Sequence, residues 1–490
     1  MVSDPHPAGR PGAARLPLSA AQRDIWLAHD ADPTGRRYSI GEFREILGPV
    51  DAQLLADCWY RLVQESDALR ISGTEADESG IRQIVDPDPG GRSLQQVDVT
   101  GADDPEAAAR AWMDADIARP IDLARGPLTR HALIRLAGDR FFYYHRYHHL
   151  VMDGMGAALV VGRLGALYEQ AVGGEPWDAG PFVPLADLLA EEEAYRSSEK
   201  AAEDRAYWSE RLAGVPETPR LGEGRTPDHD PAVPFVRRTV VVDVETADRI
   251  RSTARAAYKV SWPVLVVALL AAYTHRAGGD PQELVIGLPV TGRTTPLARS
   301  TPAMMSNVVP LRIAAGRERT LAELVAGTAA EVRQALRHQL TRYEDMCRDL
   351  GLGESDRRIS SPLVNIMAFG GDTAFAGLPS VQHNLSNGPV QDLAVAVYDL
   401  GPGRGLRIDF DAAPDVTDLA TVAAHQDRLL RFLRTALDEP ERPLGAIDLL
   451  SVEERRLVVE EWNATTVAIE DASLSELVER QAMLRPEHPA

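Results

Sequence analysis

The chain of 490 residues is 44% hydrophobic and 26% charged, which is typical of a globular protein with about two or three domains. Its 73 acidic and 52 basic residues give a formal net charge of −21, which argues against nonspecific binding to nucleic acid. Its cysteines, Cys58 and Cys347, are too few for a disulfide framework, as is typical of a reducing compartment.

The N-terminal segment carries no recognisable targeting signal. Residues 1–14 are rich in Pro, Gly and Ala and lack an apolar core, so we predict a flexible tail. The longest apolar run, residues 263–273, is too short to cross a bilayer. These features predict a cytoplasmic protein that binds neither membranes nor nucleic acid.

Two amphipathic helices are predicted within the first 70 residues. Ser19 is a helix-capping residue, and the apolar positions that follow it have helical spacing. Gln22 lies in the first turn of this helix. Residues 50–69 carry apolar side chains at intervals of three and four, which predicts a second helix. Arg70 follows it directly, and an arginine considered alone is usually exposed.

The next signal is a hairpin that ends in a pair of histidines. Residues 129–136 and 140–147 are predicted strands on either side of a turn at residues 137–139. The second strand runs into His148 and His149. Asp153-Gly154 then forms a turn, and a helix with apolar spacing follows. The histidine pair therefore lies at a strand end, where chemistry is often placed.

The two histidines are predicted to have different roles. Adjacent strand residues point to opposite faces, so His148 and His149 cannot both face one cleft without local distortion. An imidazole that titrates near neutrality can take a proton from an attacking amine or hydroxyl, and a nearby carboxylate can fix its geometry. His149 is nearer the turn, so we take it as the candidate base and His148 as structural.

The residues of this stretch also admit other interpretations. Two adjacent histidines lack the i, i+4 spacing that aligns zinc ligands on a helix, and no further His or Cys cluster completes a metal site. Gly154 and Gly156 do not make a dinucleotide-binding loop, because position 159 is leucine. Both histidines could also be core residues with satisfied hydrogen bonds, and this alternative stays open.

The second half of the chain follows a segment dense in Pro, Gly and Asp, residues 216–234, which predicts a boundary. Residues 185–212 before it are acidic and helical in pattern. After it the sequence predicts strands at 236–242, 284–290 and 394–398, helices at 246–257, 262–275 and 416–437, a loop at 291–293 and a turn at Gly388-Pro389.

Several of these segments together resemble a known family. His148-His149-x-x-x-Asp153-Gly154 is similar to the active-site motif of nonribosomal peptide synthetase condensation domains, relatives of chloramphenicol acetyltransferase. The segments that resemble other family motifs, in the expected order, are residues 16–26, 68–71, 305–312 and 361–366. Residues 342–345, 364–367 and 387–393 make the chain look most like condensation domains of siderophore synthetases, such as that of enterobactin synthesis.

The resemblance covers about residues 15–450 and implies an α/β (α+β) fold. It has two chloramphenicol acetyltransferase-like lobes, each a mixed sheet flanked by helices, in a V-shaped pseudo-dimer. The expected organisation is a flexible tail at 1–14, an N-terminal lobe at 15–180, a connecting helix and linker at 181–234, a C-terminal lobe at 235–450, and a linker with the start of an adenylation domain at 451–490.

The resemblance also assigns roles to residues. His149 would be the central catalytic group, His148, Asp153 and Gly154 would shape its loop, and Arg70 would pair with Asp153. A buried arginine–carboxylate pair is costly to break on one side only, which fits a scaffold role for this pair. The expected substrate channel includes Ser19, Gln22, Ser306, Asn307, Asn365, Gln391 and Asp392. No metal is expected.

The implied reaction joins two tethered substrates. An upstream carrier protein presents an acyl or peptidyl thioester on phosphopantetheine, and the amine of an aminoacyl thioester on a downstream carrier attacks it. His149 would deprotonate the amine, or hold it and the tetrahedral intermediate in position. No cofactor is bound, because phosphopantetheine arrives on the carriers. No carrier precedes Leu16, so we expect the donor carrier in trans and an adenylation domain of the same synthetase downstream.

Other functions stay open. An epimerisation domain has the same motif on the same fold, although the adenylation-like tail favours condensation. A free acyltransferase that uses coenzyme A is disfavoured for the same reason. A hydroxyl acceptor would give an ester instead of an amide. From a different class, the chain could be a catalytically idle platform that recruits carrier proteins or a tailoring enzyme.

Overall fold

The computed structural model describes residues 12–32, 34–78, 80–87, 93–216, 219, 221–222, 235–352, 359–368, 375–390, 392–401, 403–467 and 471–488. The chain divides into two compact units, Met1–Ile447 and Asp448–Ala490. The strands are β1 (Ala14–Pro17), β2 (Ser39–Leu47), β3 (Ile71–Asp77), β4 (Gly80–Val85), β5 (Gln95–Asp98), β6 (Thr129–Ala137), β7 (Arg140–His148), β8 (Val236–Val242), β9 (Glu283–Val290), β10 (Asn307–Ala314), β11 (Leu363–Met367), β12 (Ser380–Asn387), β13 (Leu393–Asp399) and β14 (Leu406–Ala412).

The helices of the first unit are α1 (Ala20–Asp30), α2 (Ala52–Glu65), α3 (Asp67–Arg70), α4 (Pro105–Ile117), α5 (Gly154–Val172), α6 (Leu185–Arg196), α7 (Glu199–Arg211), α8 (Val244–Ala256), α9 (Trp262–Ala277), α10 (Pro296–Ser300), α11 (Leu321–Arg337), α12 (Tyr343–Asp349) and α13 (Leu419–Asp438). The second unit contains α14 (Val452–Arg456), a π-helical turn (Leu457–Glu461) and α15 (Leu474–Leu484). None of the described residues of the second unit is buried.

Two large mixed sheets organise the first unit. The five-stranded sheet has the order β12-β2-β7-β6-β5, and the six-stranded sheet has the order β10-β9-β11-β13-β14-β8. Most pairs are antiparallel, but β5 runs parallel to β6, and β11 runs parallel to both β13 and β9. A three-stranded sheet, β1-β4-β3, completes the set. The predicted class, mixed sheets flanked by helices, is confirmed.

One strand joins the sheet of the other half of the chain. β12 belongs to the C-terminal half but pairs antiparallel with β2, with Ser380 opposite Ile46. The predicted lobe boundaries did not include this exchange. Because β12 is bonded to the first sheet while β13 lies in the second, the segment between them passes from one lobe to the other.

Two long helical predictions are each interrupted at a serine. Residues 50–69 form α2 and α3, separated by Ser66, whose backbone is extended. Residues 185–212 form α6 and α7, and the Ser198 side chain caps α7 by accepting from the Ala201 amide. Serine competes for backbone hydrogen bonds and favours helix ends over interiors, which explains both breaks.

Candidate active site

The predicted hairpin and turn form as the residue types dictate. β6 and β7 pair antiparallel, and β7 ends at His148. Asp153 is the N-cap of α5, and its Oδ1 accepts a hydrogen bond of 2.7 Å from the Gly156 amide. A Cβ at Gly156 would lie 2.6 Å from Met152 Sδ and 3.0 Å from the Ala303 carbonyl oxygen. Glycine therefore allows the start of α5 to approach the C-terminal half of the chain.

The second carboxylate oxygen of Asp153 is bound by the C-terminal half. Oδ2 accepts from Arg293 Nη1 at 2.7 Å and from the amides of Met305 and Ser306, both at 2.9 Å. Burial acts to raise the pKa of Asp153, but the charge and hydrogen bond of Arg293 and the amide hydrogen bonds outweigh it, so the pKa is lowered. With both oxygens occupied, Asp153 organises the turn and is poorly placed to accept a proton.

Arg293 reaches Asp153 from the loop after β9. Its Nη2 also donates to the Ala303 carbonyl at 3.1 Å, so the guanidinium links the loop to the segment that binds Asp153. Gly292, directly before it, has a φ of 67°, and a Cβ there would lie 2.6 Å from the Met305 carbonyl oxygen. The close approach and the left-handed backbone both require glycine.

The predicted pairing of Arg70 with Asp153 is wrong. Arg70 forms an ion pair with Asp67, one turn earlier in α3, and donates to the carbonyl oxygens of Asp86 and Pro87. The physical reason is the position of Arg70 at the end of α3, where local acceptors are available. Arg293 takes the role that the prediction gave to Arg70.

His148 lies in the core and is held by its own hydrogen bonds. The Leu150 amide donates to Nδ1 at 3.0 Å, so the neutral ring carries its proton on Nε2 and donates to His29 Nδ1, also at 3.0 Å. Burial and the neighbouring His29 hold its pKa well below the ordinary value. His148 thus fixes the strand end.

His149 lines a cavity. Its Nδ1 lies 3.2 Å from Met304 Sδ, and a Cβ at Gly388 would approach His149 Cδ2 to 3.1 Å. Burial lowers the pKa of His149, and the charge of Asp153 acts against this without reversing it. The imidazole is therefore neutral near pH 7 and has a lone pair that can accept a proton.

The cavity has a volume of about 770 Å³ and is walled by both large sheets and their loops. The predicted site residues that line it are His149, Asp153, Gly154, Ser306, Asn307, Asn365 and Asp392. Asn307 orders part of the wall, because its Nδ2 donates to the carbonyl oxygens of Gln339 and Thr341 and its Oδ1 accepts from the Tyr343 amide. Asp392 accepts from the Ser361 hydroxyl.

Ser19 and Gln22 are not part of the cavity wall, so the channel prediction is wrong for these two residues. Ser19 caps α1 in a reciprocal arrangement with Gln22. The Gln22 side chain is buried and donates to the Leu150 carbonyl at 3.1 Å, so it supports the active-site turn from behind. Gln391, also predicted to line the channel, lies outside the described residues.

Charged residues that the sequence does not single out for this role also line the cavity. Asp24 on α1, Arg342 and Glu344 line the cavity, and Arg342 Nη1 donates to the Ser306 carbonyl at 2.8 Å. Burial and the nearby Glu344 raise the pKa of Asp24 to about 7, although Arg342 opposes them. The one sequence signal for Asp24 is that it is an acidic residue within the apolar pattern of a predicted helix.

Two further findings concern the described residues alone. No group of three or more His, Cys, Asp or Glu side chains among them is arranged to hold a metal ion. No helix among them is long and apolar enough to cross a bilayer.

Known proteins resemble the chain over most of its length. The condensation domain family matches residues 13–459. The isonitrile lipopeptide synthase of Streptomyces coeruleorubidus is 42% identical over 88% of this chain and 29% of the relative. The dimodular nonribosomal peptide synthase of Bacillus subtilis is 36% identical over 96% of this chain and 20% of the relative. Enterobactin synthase component F of Escherichia coli is 30% identical over 97% of this chain and 36% of the relative. The chain thus spans about a third or less of the length of these relatives.

Solved structures agree with these relatives. The starter condensation domain of rhizomide synthetase has a TM-score of 0.82 and 32% identity, covering 89% of this chain and 98% of that domain. The first condensation domain of the calcium-dependent antibiotic synthetase has a TM-score of 0.81 and 32% identity, and the match covers 89% of this chain and 99% of that domain. None of these matches supports the epimerisation alternative. The chain belongs to the condensation domains of nonribosomal peptide synthetases, acyltransferases that form amide bonds.

Proposed function

We propose that this domain joins a carrier-bound acyl or peptidyl thioester to a carrier-bound aminoacyl amine, with His149 as proton acceptor. The observation that carries the proposal is a neutral His149 on the wall of a cavity between two lobes. The acceptor nitrogen attacks the thioester carbonyl, a C–N bond forms and the C–S bond breaks. His149 takes the amine proton and returns it to the departing thiol, so atoms and charge balance.

In this reaction Asp153 and Arg293 hold the active-site turn in position. Asp153 holds the first turn of α5 through Oδ1 and the 305–306 amides through Oδ2, which sets the turn that carries His149. Two tethered reactants held in the attack geometry gain much of the barrier reduction from proximity alone. Loss of the base is therefore expected to leave a measurable residual rate.

The partners follow from the same reaction. An upstream carrier protein delivers the donor and a downstream carrier delivers the acceptor, each on its own phosphopantetheine arm. The family resemblance of residues 451–490 supports an adenylation domain as the next domain of the same synthetase. The relatives that support these partners are whole synthetases, much longer than this chain.

The test is intact-protein mass spectrometry of two separately loaded carriers, one acylated and one aminoacylated, incubated with and without the domain. We expect the donor mass to move to the acceptor carrier with the wild type, and transfer to fall at least 100-fold in His149→Ala. A matched control is His488→Ala, which changes an exposed histidine of the second unit. Thermal unfolding of each variant separates lost chemistry from lost folding.

Two outcomes would contradict the proposal. Deuterium exchange at the aminoacyl α-carbon without transfer, across a broad set of donors and acceptors, would support epimerisation. Carrier binding with neither transfer nor exchange would support a recruitment platform.

A further inference from the structure

A second polar cluster lies on the cavity wall, on the strands that lead to the active-site turn. It consists of Glu42 on β2 and His145 and Tyr147 on β7, and all three residues line the cavity. Glu42 is directly opposite His145 in the sheet, and Tyr147 is two residues further along the same strand. Opposed pairs and alternate residues share a face, so the three side chains lie together.

Two of these residues have polar atoms without a hydrogen-bond partner among the described residues, although His145 Nε2 lies 3.8 Å from the Glu42 carboxylate. His145 is 1% exposed and Tyr147 is 0% exposed. Among the described residues, no group hydrogen-bonds to either ring nitrogen of His145 or to the Tyr147 hydroxyl. Glu42, by contrast, accepts from Gln382 Nε2 at 2.8 Å and from Asn384 Nδ2 at 3.3 Å. Buried polar groups are normally paired, so unpaired ones on a cavity wall point to a ligand.

The charge state of the two unpaired groups limits the ligand chemistry. Burial, with Arg44 nearby, lowers the pKa of His145 to about 3, so its ring is neutral and offers one donor and one acceptor. Burial holds the pKa of Tyr147 well above its ordinary value, so its phenol stays protonated. A ligand hydroxyl, which is both donor and acceptor, matches both groups, whereas an alkyl chain would leave them unpaired.

The distance from His149 identifies which substrate reaches the cluster. Tyr147 precedes His149 by two residues and His145 by four, roughly 7 and 13 Å at the usual rise of a strand. An amino acid whose amine attacks at His149 cannot extend a standard side chain as far as His145, the more distant of the two residues. An acyl donor that extends from its thioester carbonyl can.

We propose that His145 and Tyr147 bind a hydroxyl group on the donor acyl chain, and that the domain prefers hydroxylated donors to their plain counterparts. This inference rests on the proposed function, because it assigns the far end of the same cavity to the donor. Pairing two buried groups that would otherwise stay unsatisfied gives an expected preference of at least about tenfold in kcat/KM.

The test uses matched donors loaded on one carrier, 8-hydroxyoctanoyl and octanoyl. Tyr147→Phe should remove most of the preference for 8-hydroxyoctanoyl over octanoyl. Its stability should not fall, because the lost hydroxyl has no protein partner. The control is Tyr143→Phe, on the same strand and face, whose hydroxyl pairs with His131 Nδ1 at 2.9 Å.

Tyr143→Phe should lower stability and keep the preference. Equal transfer of octanoyl and 8-hydroxyoctanoyl by the wild type, or a preference unchanged in Tyr147→Phe, would overturn the inference. Calorimetric binding of the same acyl groups as N-acetylcysteamine thioesters tests the cluster independently of turnover. Hydroxyl preference in binding that depends on Tyr147, without any transfer, would support the cluster and contradict the proposed reaction.

Discussion

Two arginine–aspartate pairs in different regions of this protein show what such a pair can do. Arg70 pairs with Asp67 within one turn of α3, and their side chains are 19% and 21% exposed. Arg293 pairs with Asp153 across 140 positions of sequence, and their side chains are 2% and 1% exposed. The first pair is local and partly solvated. The second joins two halves of the chain at the active-site turn, so its loss should affect both stability and chemistry.

Breaking the buried pair should have the largest effect on stability. Arg293→Ala leaves the Asp153 carboxylate buried without its cationic partner, which typically costs about 3–5 kcal/mol. Denaturant unfolding of the variant and the wild type measures this loss. Arg293→Lys, which keeps the charge but not the planar fork, should lose less. A loss below about 1 kcal/mol in Arg293→Ala would show that the pair does not hold the turn.

His148 and His149, on either side of the end of β7, extend the comparison between structural and catalytic roles. His149→Ala should lower the transfer rate by about 10²–10⁴ with little change in stability, because it removes a proton acceptor from a cavity wall. His148→Ala should instead lower stability by about 1–3 kcal/mol, because it breaks buried hydrogen bonds to His29 and the Leu150 amide. Transfer kinetics and thermal unfolding of both variants test this division. If the two variants lost transfer rate to the same extent and stability to the same extent, this division of roles would be contradicted.

The cavity wall contains an ion pair of intermediate burial between Arg342 and Asp24, whose side chains are 12% and 9% exposed. Because the folded-state pKa of Asp24 is raised to about 7, its contribution to stability is complete below about pH 4 and is lost as pH rises through 7. Asp24→Asn should therefore be more stable than the wild type at pH 8, by about 1–2 kcal/mol, and lose this advantage at pH 5. Parallel stability curves between pH 5 and 8 would contradict the raised pKa.

The smallest effect is expected at the local pair. Arg70→Ala should cost about 1 kcal/mol or less, because partly exposed ion pairs contribute little. Its transfer rate should match that of the wild type. Urea unfolding measures the stability and the carrier assay measures the transfer rate. A large loss of transfer would show that Arg70 contributes to the active site.

Local patterns were enough to predict most elements and the active-site turn. The helix cap at Ser19, the turn at Asp153-Gly154, the aromatic strand β7 and the apolar helix α9 follow from residue type and spacing. The family resemblance added the two-lobed fold, which the sheets confirm.

The remaining features depend on contacts between distant residues. Arg293 meets Asp153 and β12 joins β2 only through tertiary packing, which no local pattern encodes. Gly292 before Arg293 and Gly156 at the start of α5 are local signs of a tight approach. The error at Arg70 came from assigning a partner by motif, where α3 offered a closer one in Asp67.

The most direct test of the account is a double-mutant cycle between Asp153 and Arg293, read by the single-turnover rate of acyl transfer between loaded carriers. Asp153→Ala, Arg293→Ala and the double variant are compared with the wild type. If the pair acts as one unit that positions the His149 turn, the double variant should be no slower than the slower single variant, with a coupling energy of about 2 kcal/mol or more. Rate losses that add within about 0.5 kcal/mol would show that the two residues act independently.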